Sequence, residues 1–206
     1  NYLANEMTVL DIDLRLGQEV CPKCVLAQNP DSVIIATGAS NAIPRIPGTD
    51  LPHVFDAWKV LNHEQLPSGK VVIIGGGLVG AETAELLAQM GCKVSIVEML
   101  EEIAKKESST VKPEMFADFK KHEVNLLTKT KVTKITATHV EAENETGPVT
   151  IDCDYVVLAV GAKPNPFDIV ALNDANVNVY VTGDCNGKAA DINKAIEEGY
   201  LAACAI

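Results

Sequence analysis

The chain has 206 residues, of which 47% are apolar and 22% charged, and its 17 basic against 28 acidic residues leave a net charge of −11. That is enough apolar material for one large or two small packed units. The acidity, with Arg15 and Arg45 as the sole arginines, argues against phosphate-backbone binding through a basic patch, so nucleic acid is not an expected partner.

Asn1 is no initiator methionine, and the first thirty residues lack the basic start, apolar middle and small-residue end of a signal peptide, so the N-terminus reads as a cut edge. The Cys21-Pro-Lys-Cys24 spacing could mark a redox pair or half a metal site. No second CxxC or CxxH completes a zinc tetrad, and the reading adopted is two incidental thiols near a strand end. The six cysteines are dispersed through a chain long enough to fold without covalent staples, which favours reduced thiols and a cytoplasmic setting.

A strand is expected at Ser32–Ala36, running into Thr37-Gly38. The proline-rich stretch Ala42-Ile-Pro44-Arg-Ile-Pro47-Gly48 should cross between units without joining a ladder, because proline fixes φ and lacks a donor. Asp56 is placed to cap a short helix through Leu61. Leu66-Pro-Ser-Gly69 punctuates the chain, and a domain boundary is expected near residue 63. The strand Val71–Ile74 follows, then a helix from about Leu78 to Met90, stopped by Gly91, then the strand Lys93–Glu98. Pro113 introduces a helix to about His122. Strands are expected at Asn125–Thr128, Lys131–His139, Val149–Asp152 and Tyr155–Val160, with a hairpin turn at Asn144-Glu-Thr-Gly147-Pro148. A second crossing, Lys163-Pro164-Asn165-Pro166, a strand Val177–Val181 and a helix from Asp191 to about Ala205 complete the chain. The apolar runs near 71–81 and 155–162 are too short to span a bilayer, and no membrane segment is expected.

The chemistry concentrates where Val71–Ile74 meets Gly75-x-Gly77-x-x-Gly80. Strand, glycines, helix, second strand and a terminal acid occur in order within one βαβ unit, the required context for a dinucleotide fingerprint. Gly75 permits the tight turn, Gly77 lets the backbone approach a pyrophosphate, and Gly80 lets the helix pack on the sheet. Amides around Leu78 and Val79, with the helix dipole, would hold the diphosphate. Glu98 would accept hydrogen bonds from the adenosine ribose, and its charge would repel a 2′-phosphate. No arginine lies between Lys93 and Thr110, so NADH is expected over NADPH, with Lys105 and Lys106 the cations that could soften the preference. Glu82 reads by itself as a favourable acid near a helix N-terminus. His53, His63, His122 and His139 have no partner spacing and read as surface or packing residues. No metal site and no catalytic acid or base is expected.

The ordered set Ala36-Thr37-Gly38, Pro47-Gly48, Gly75-x-Gly77-x-x-Gly80-x-Glu82, Glu98, Ala159-Val-Gly161-x-x-Pro164-Asn165 and Val181-Thr-Gly183-Asp184-Cys185 resembles the flavin reductases with two dinucleotide domains. Within them it is similar to the C-terminal part of the NADH:flavin oxidoreductases, the enoate reductase, 2,4-dienoyl-CoA reductase and trimethylamine dehydrogenase family, across essentially the whole chain. The resemblance implies an α/β fold in which a Rossmann-like three-layer ββα domain for NADH (63–155) is inserted in an FAD-binding domain, present here as incomplete flanks (1–62 and 156–206). It implies that Asp184 binds FAD ribityl hydroxyls and that Thr37 and Gly38 line the FAD site. It places Ala36, Gly161 and Gly183 among the cofactor-contacting residues and makes Glu82 face the nicotinamide.

Such enzymes open with their own FAD glycine fingerprint, and no GxGxxG precedes Gly75. The chain is therefore read as a fragment that partners the missing N-terminal part of the same enzyme, with FMN and an iron-sulfur cluster belonging to the parent only. Two alternatives stay open. One is a disulfide reductase resembling thioredoxin reductase, although no cysteine lies between Ala36 and Gly75, where that class carries its active pair. The other is a nucleotide-binding module without chemistry of its own.

Overall fold

The computed structural model describes residues 2–105, 108, 110–187 and 191–206. In chain order its elements are α1 (Tyr2–Val9), α2 (Pro22–Leu26), β1 (Ser32–Ile35), β2 (Ala39–Asn41), β3 (Val54–Asp56), α3 (Ala57–Leu61), β4 (Lys70–Ile74), α4 (Leu78–Gln89) and β5 (Lys93–Val97). They continue with α5 (Lys112–Lys121), β6 (Asn125–Leu127), β7 (Lys131–Ile135), β8 (His139–Asn144), β9 (Gly147–Asp152), β10 (Tyr155–Leu158), β11 (Ala162–Pro164), α6 (Val170–Asp174) and β12 (Asn178–Val181). A 3₁₀ turn at Gly183–Asn186 and α7 (Ile192–Cys204) close the series. The chain divides into two compact units, Ala39–Pro164 and, around it in sequence, Asn1–Gly38 with Asn165–Ile206.

The inner unit is built on a parallel sheet of order β3-β10-β4-β5-β6. Its central strands are covered on both faces, which is why they read as unbroken β-branched runs. Side chains alternate across the sheet. Val71, Ile73, Val94, Ile96 and Val157 face a layer containing α3, α4 and α5, where Val60, Ala84, Leu87, Met115 and Phe119 complete the core. Val72, Ile74, Val97, Val156 and Leu158 face the antiparallel meander β7-β8-β9, whose Val132, Ile135, Val140 and Ala142 fill the other side. Each such fully buried Val or Ile contributes about 1.5–3 kcal/mol. The result is the three-layer, Rossmann-like α/β arrangement expected from the sequence.

The chain leaves β4 through α4 to β5 and through α5 to β6, then returns after the meander to β10 on the opposite side of β4. The order therefore reverses between β4 and β10, and the carboxyl ends of these strands form the switch point where ligands of such sheets bind.

In the outer unit β1 pairs in parallel with β12, and among the described residues its buried apolar side chains are Ile35, Leu172 and Ala202. Along α7, Ile192, Ile196, Tyr200 and Leu201 are exposed, as are Tyr2, Leu3, Met7 and Val9 of α1. Among the described residues no helix is long and apolar enough to cross a membrane.

Three features differ from the sequence reading. The inner unit starts at residue 39 and not near 63, because β3 joins its sheet and β2 pairs with β11. Part of the second crossing, Lys163-Pro164, thereby falls in the ladder strand β11. The run 131–139 is two strands: Thr136 Oγ1 accepts the His139 amide at 3.1 Å and turns the chain between β7 and β8.

Candidate functional site

The glycine-rich loop lies at the carboxyl end of β4, and its glycines have separate physical causes. Gly75 has φ +104°, and a Cβ there would strike the Ala159 carbonyl oxygen, just after the neighbouring strand β10. A Cβ on Gly80 would collide with the Gly75 carbonyl oxygen, so close passage of α4 over the loop demands hydrogen there. Gly77 is different. It is exposed, and a Cβ on it would meet no protein atom within 4 Å. The protein's own packing does not require glycine at this position, and a bare backbone here leaves room for a ligand to approach.

Gly77 is the residue before α4, and no side chain caps that helix. The amides of Leu78, Val79 and Gly80 open the helix, Leu78 is exposed, and the positive end of the dipole faces outward beside Gly77. An uncapped start, an exposed glycine and a switch-point position together form a cradle that a diphosphate fits. Glu82 is exposed one turn further along the helix.

Glu98 follows β5 and is 8% exposed. Its Oε2 accepts the Gly76 amide at 2.6 Å and its Oε1 accepts the Leu100 amide at 2.7 Å. The carboxylate thus ties the glycine loop to the end of the second strand, a structural role the sequence reading did not assign. Each oxygen keeps a further acceptor position for a ribose hydroxyl. Gly76, also unassigned from sequence, lies against Glu98 and Ile103, whose side chains leave no room for a Cβ. Glu101 pairs with Lys129 at 3.0 Å, and Glu102 pairs with Lys112, so nearby lysines are already engaged by acids. Lys105 is exposed, and Lys106 lies outside the described residues. Gly161 follows β10, next to β4, and its carbonyl accepts the Ala42 amide at 2.8 Å. Gly75, Gly77, Leu78, Val79, Gly80, Glu98 and Gly161 therefore gather at one edge of the inner sheet.

In the outer unit, a cavity of about 260 Å³ is lined by Ala36, Gly38, Thr182, Gly183, Asp184 and Ile192 among others. It sits at the carboxyl ends of β1 and β12 and the start of α7. Glu198 accepts the Gly183 amide at 2.8 Å and fixes the turn that carries Asp184. Asp191 accepts the Lys194 amide at 3.0 Å, so the start of α7 has its own cap. The Thr37 hydroxyl donates to the Asn165 carbonyl at 2.7 Å, and the Asn165 side-chain amide donates to the Thr37 carbonyl at 3.1 Å. Thr37 thus acts as a clasp to Asn165. Ala36, Gly38, Gly183 and Asp184 line a common cavity, where the Asp184 carboxylate is an acceptor suited to hydroxyl groups.

A larger cavity, about 650 Å³, lies at the amino ends of β4 and β10, lined by His53, Lys70, Asp152 and Asp154 among others. Its polar groups satisfy each other, with Lys70 Nζ 3.2 Å from Asp152 and the Lys70 amide donating to Asp154 at 2.7 Å. Size alone does not make it the site, because the glycine loop is at the opposite end of the strands. His53 and His139 both bond to Thr136, in line with packing roles.

A family model described as pyridine nucleotide-disulphide oxidoreductase matches residues 4–199. A bilirubin reductase of Mediterraneibacter gnavus (strain CC55_001C) is 67% identical over 202 residues, covering 98% of this chain and 32% of the relative. An NADH oxidase of Thermoanaerobacter brockii is 36% identical over 211 residues, again covering 98% of the chain and 32% of the relative. Among solved structures, a 2-naphthoyl-CoA reductase in complex with 2-naphthoyl-CoA superposes with a TM-score of 0.87 at 28% identity, covering all of this chain and 31% of that one. The chain spans about a third of the length of these relatives.

Proposed function

The chain belongs to the pyridine nucleotide-disulphide oxidoreductase family, and from that premise we propose that it is the NADH- and FAD-binding part of a flavin-dependent oxidoreductase. One observation carries the nucleotide half of this reading: Gly77 is held bare by no packing constraint, at an uncapped helix start on the switch-point edge of the sheet. When bound, NADH supplies a hydride and FAD accepts it. The chain's own residues bind and orient. The amides opening α4 would hold the diphosphate, Glu98 holds the loop and would accept ribose hydroxyls, and Glu82, exposed one turn into α4, would face the nicotinamide. Asp184, lining the outer cavity, would accept the ribityl hydroxyls. A buried carboxylate at residue 98, with acids at 101 and 102, favours NADH over NADPH.

The finer proposal concerns the parent enzyme. It is a longer flavoprotein, carrying FMN and an iron-sulfur cluster as well, that reduces an activated C=C bond such as that of an enoate or 2,4-dienoyl-CoA. The likeness to a bilirubin reductase and to a 2-naphthoyl-CoA reductase supports a conjugated acceptor. The small buried core and exposed apolar helices of the outer unit support a further segment of the same enzyme completing the FAD site. A cytoplasmic location belongs to this proposal. The lack of a cysteine between Ala36 and Gly75, where that class carries its active pair, weakens the disulfide reductase reading.

Calorimetric titration of the purified chain with NADH and NADPH tests the assignment. Saturable NADH binding, at least ten-fold tighter than NADPH, is the expected result, and equal affinities would remove the specificity claim. The purified chain should be colourless; tight stoichiometric FAD and its reduction by NADH would show that the flavin site is complete as it stands.

A further inference from the structure

The CxxC motif is not absorbed by nucleotide binding, and the structure gives it a geometry the sequence did not. Cys21 is the N-cap of α2, with Pro22 starting the helix. Its Sγ lies 2.7 Å from Cys24 Sγ and also accepts the Cys24 amide at 3.3 Å. Both cysteines are exposed. The sulfurs are within about 0.7 Å of bonding separation, so closing a bridge needs little movement of either residue. The short helix that carries them packs against α6, which anchors the pair within the outer unit. Among the described residues no group of three or more His, Cys, Asp and Glu is placed to hold a metal ion.

We propose that Cys21 and Cys24 form a solvent-facing dithiol that exchanges with low-molecular-weight disulfides, Cys21 attacking and Cys24 resolving. The Cys24 thiol and then the Cys24 amide stabilise the Cys21 thiolate and hold its thiol below the usual range. Cys21 attacks one sulfur of a disulfide RSSR, forming a mixed Cys21–SR disulfide and expelling RS⁻, which takes up a proton. Cys24, losing its proton, then attacks Cys21 Sγ, forms the internal disulfide and expels the second RS⁻. The disulfide is reduced to two thiols, and the protein dithiol is oxidised by the same two electrons. The step needs neither nucleotide nor flavin, so it stands or falls apart from the proposal above.

The other cysteines do not compete on equal terms. Cys92 and Cys153 are buried, and Cys185 is half-buried with its thiol donating to the Thr182 carbonyl at 3.1 Å. Cys204 is exposed but lies on α7 and is distinguished by its peptide.

The test treats the full chain with oxidised glutathione and maps cysteine peptides by mass, with circular dichroism to check that variants remain folded. The wild-type chain should yield an internal Cys21–Cys24 disulfide. Cys24→Ser should accumulate a glutathione adduct on Cys21, formed about ten-fold faster than the adduct on Cys24 in Cys21→Ser. Cysteines that stay reduced, or a wild-type adduct that never resolves into the internal bridge, would overturn the proposal. Equal adduct rates at the two positions would overturn the assignment of Cys21 as the attacking thiol.

Discussion

Gly77 and Gly80 stand three residues apart in one motif and answer to different forces. A methyl group at Gly80 meets the Gly75 carbonyl, whereas one at Gly77 meets empty space. Gly80→Ala should therefore lower stability by about 1–3 kcal/mol in denaturant titration. Gly77→Ala should lower the unfolding midpoint only slightly, through the poorer helix start, and weaken NADH binding about ten-fold, equivalent to about 1.4 kcal/mol. Glu98 combines the two roles. Glutamine at this position offers one acceptor oxygen for two amides, so Glu98→Gln should cost about 1–3 kcal/mol of stability along with nucleotide affinity. Burial also makes Glu98→Arg a poor route to NADPH binding, since the guanidinium would enter the space beneath the loop. Cys153 gives a pH signature. Burial, reinforced by the charges of Asp154 and then Asp152, pushes its thiol up to about 11. The unfolded chain releases this proton near pH 9 while the native chain retains it, so stability falls as pH rises from about 9 to about 11 and is unaffected below that window. Cys153→Val should shrink the fall in the denaturant midpoint over that range relative to wild type.

Elements were legible in sequence where a local cause fixed them. Asp56 accepts the Trp58 amide at 2.7 Å and starts α3 as its position before an apolar turn implied. Asp56→Ala should lower stability by about 0.5–2 kcal/mol, read by urea unfolding. Gly91, at φ +90°, ends α4 as its place after Met90 implied. The break between β7 and β8 was illegible, because Thr136 and Thr138 suit a strand and nothing in the run marks a turn. The hydrogen bonds that Thr136 makes to the His139 amide and carbonyl decide it. The short strands β2 and β11 were equally hidden. Each has three residues, one of them ending in proline, and they are strands because they find each other across the length of the inner unit. The hydrogen bonds around the candidate site follow the same rule. The glycine spacing and Glu98 were readable, whereas Gly76, Asn165 and Glu198 acquire their roles from partners far away in sequence.

At the scale of the molecule, the pairing of Ala39 with Pro164 determines how the chain is divided. The inner unit holds both faces of its sheet covered by its own residues, so residues 39–164 expressed alone should unfold in one cooperative transition, as monitored by circular dichroism. Antiparallel pairing also returns the polypeptide to its point of departure. Thr37 and Asn165 are 128 positions apart, yet they exchange two hydrogen bonds. Once the inner unit has folded, that separation shrinks to a short tether, and the entropy otherwise lost in closing so long a loop has already been spent. The two outer segments then meet almost as if they were contiguous chain. A whole nucleotide-binding module can thus be spliced into, or lifted out of, its host at one strand-width gap, leaving the host's own strand pairing in place.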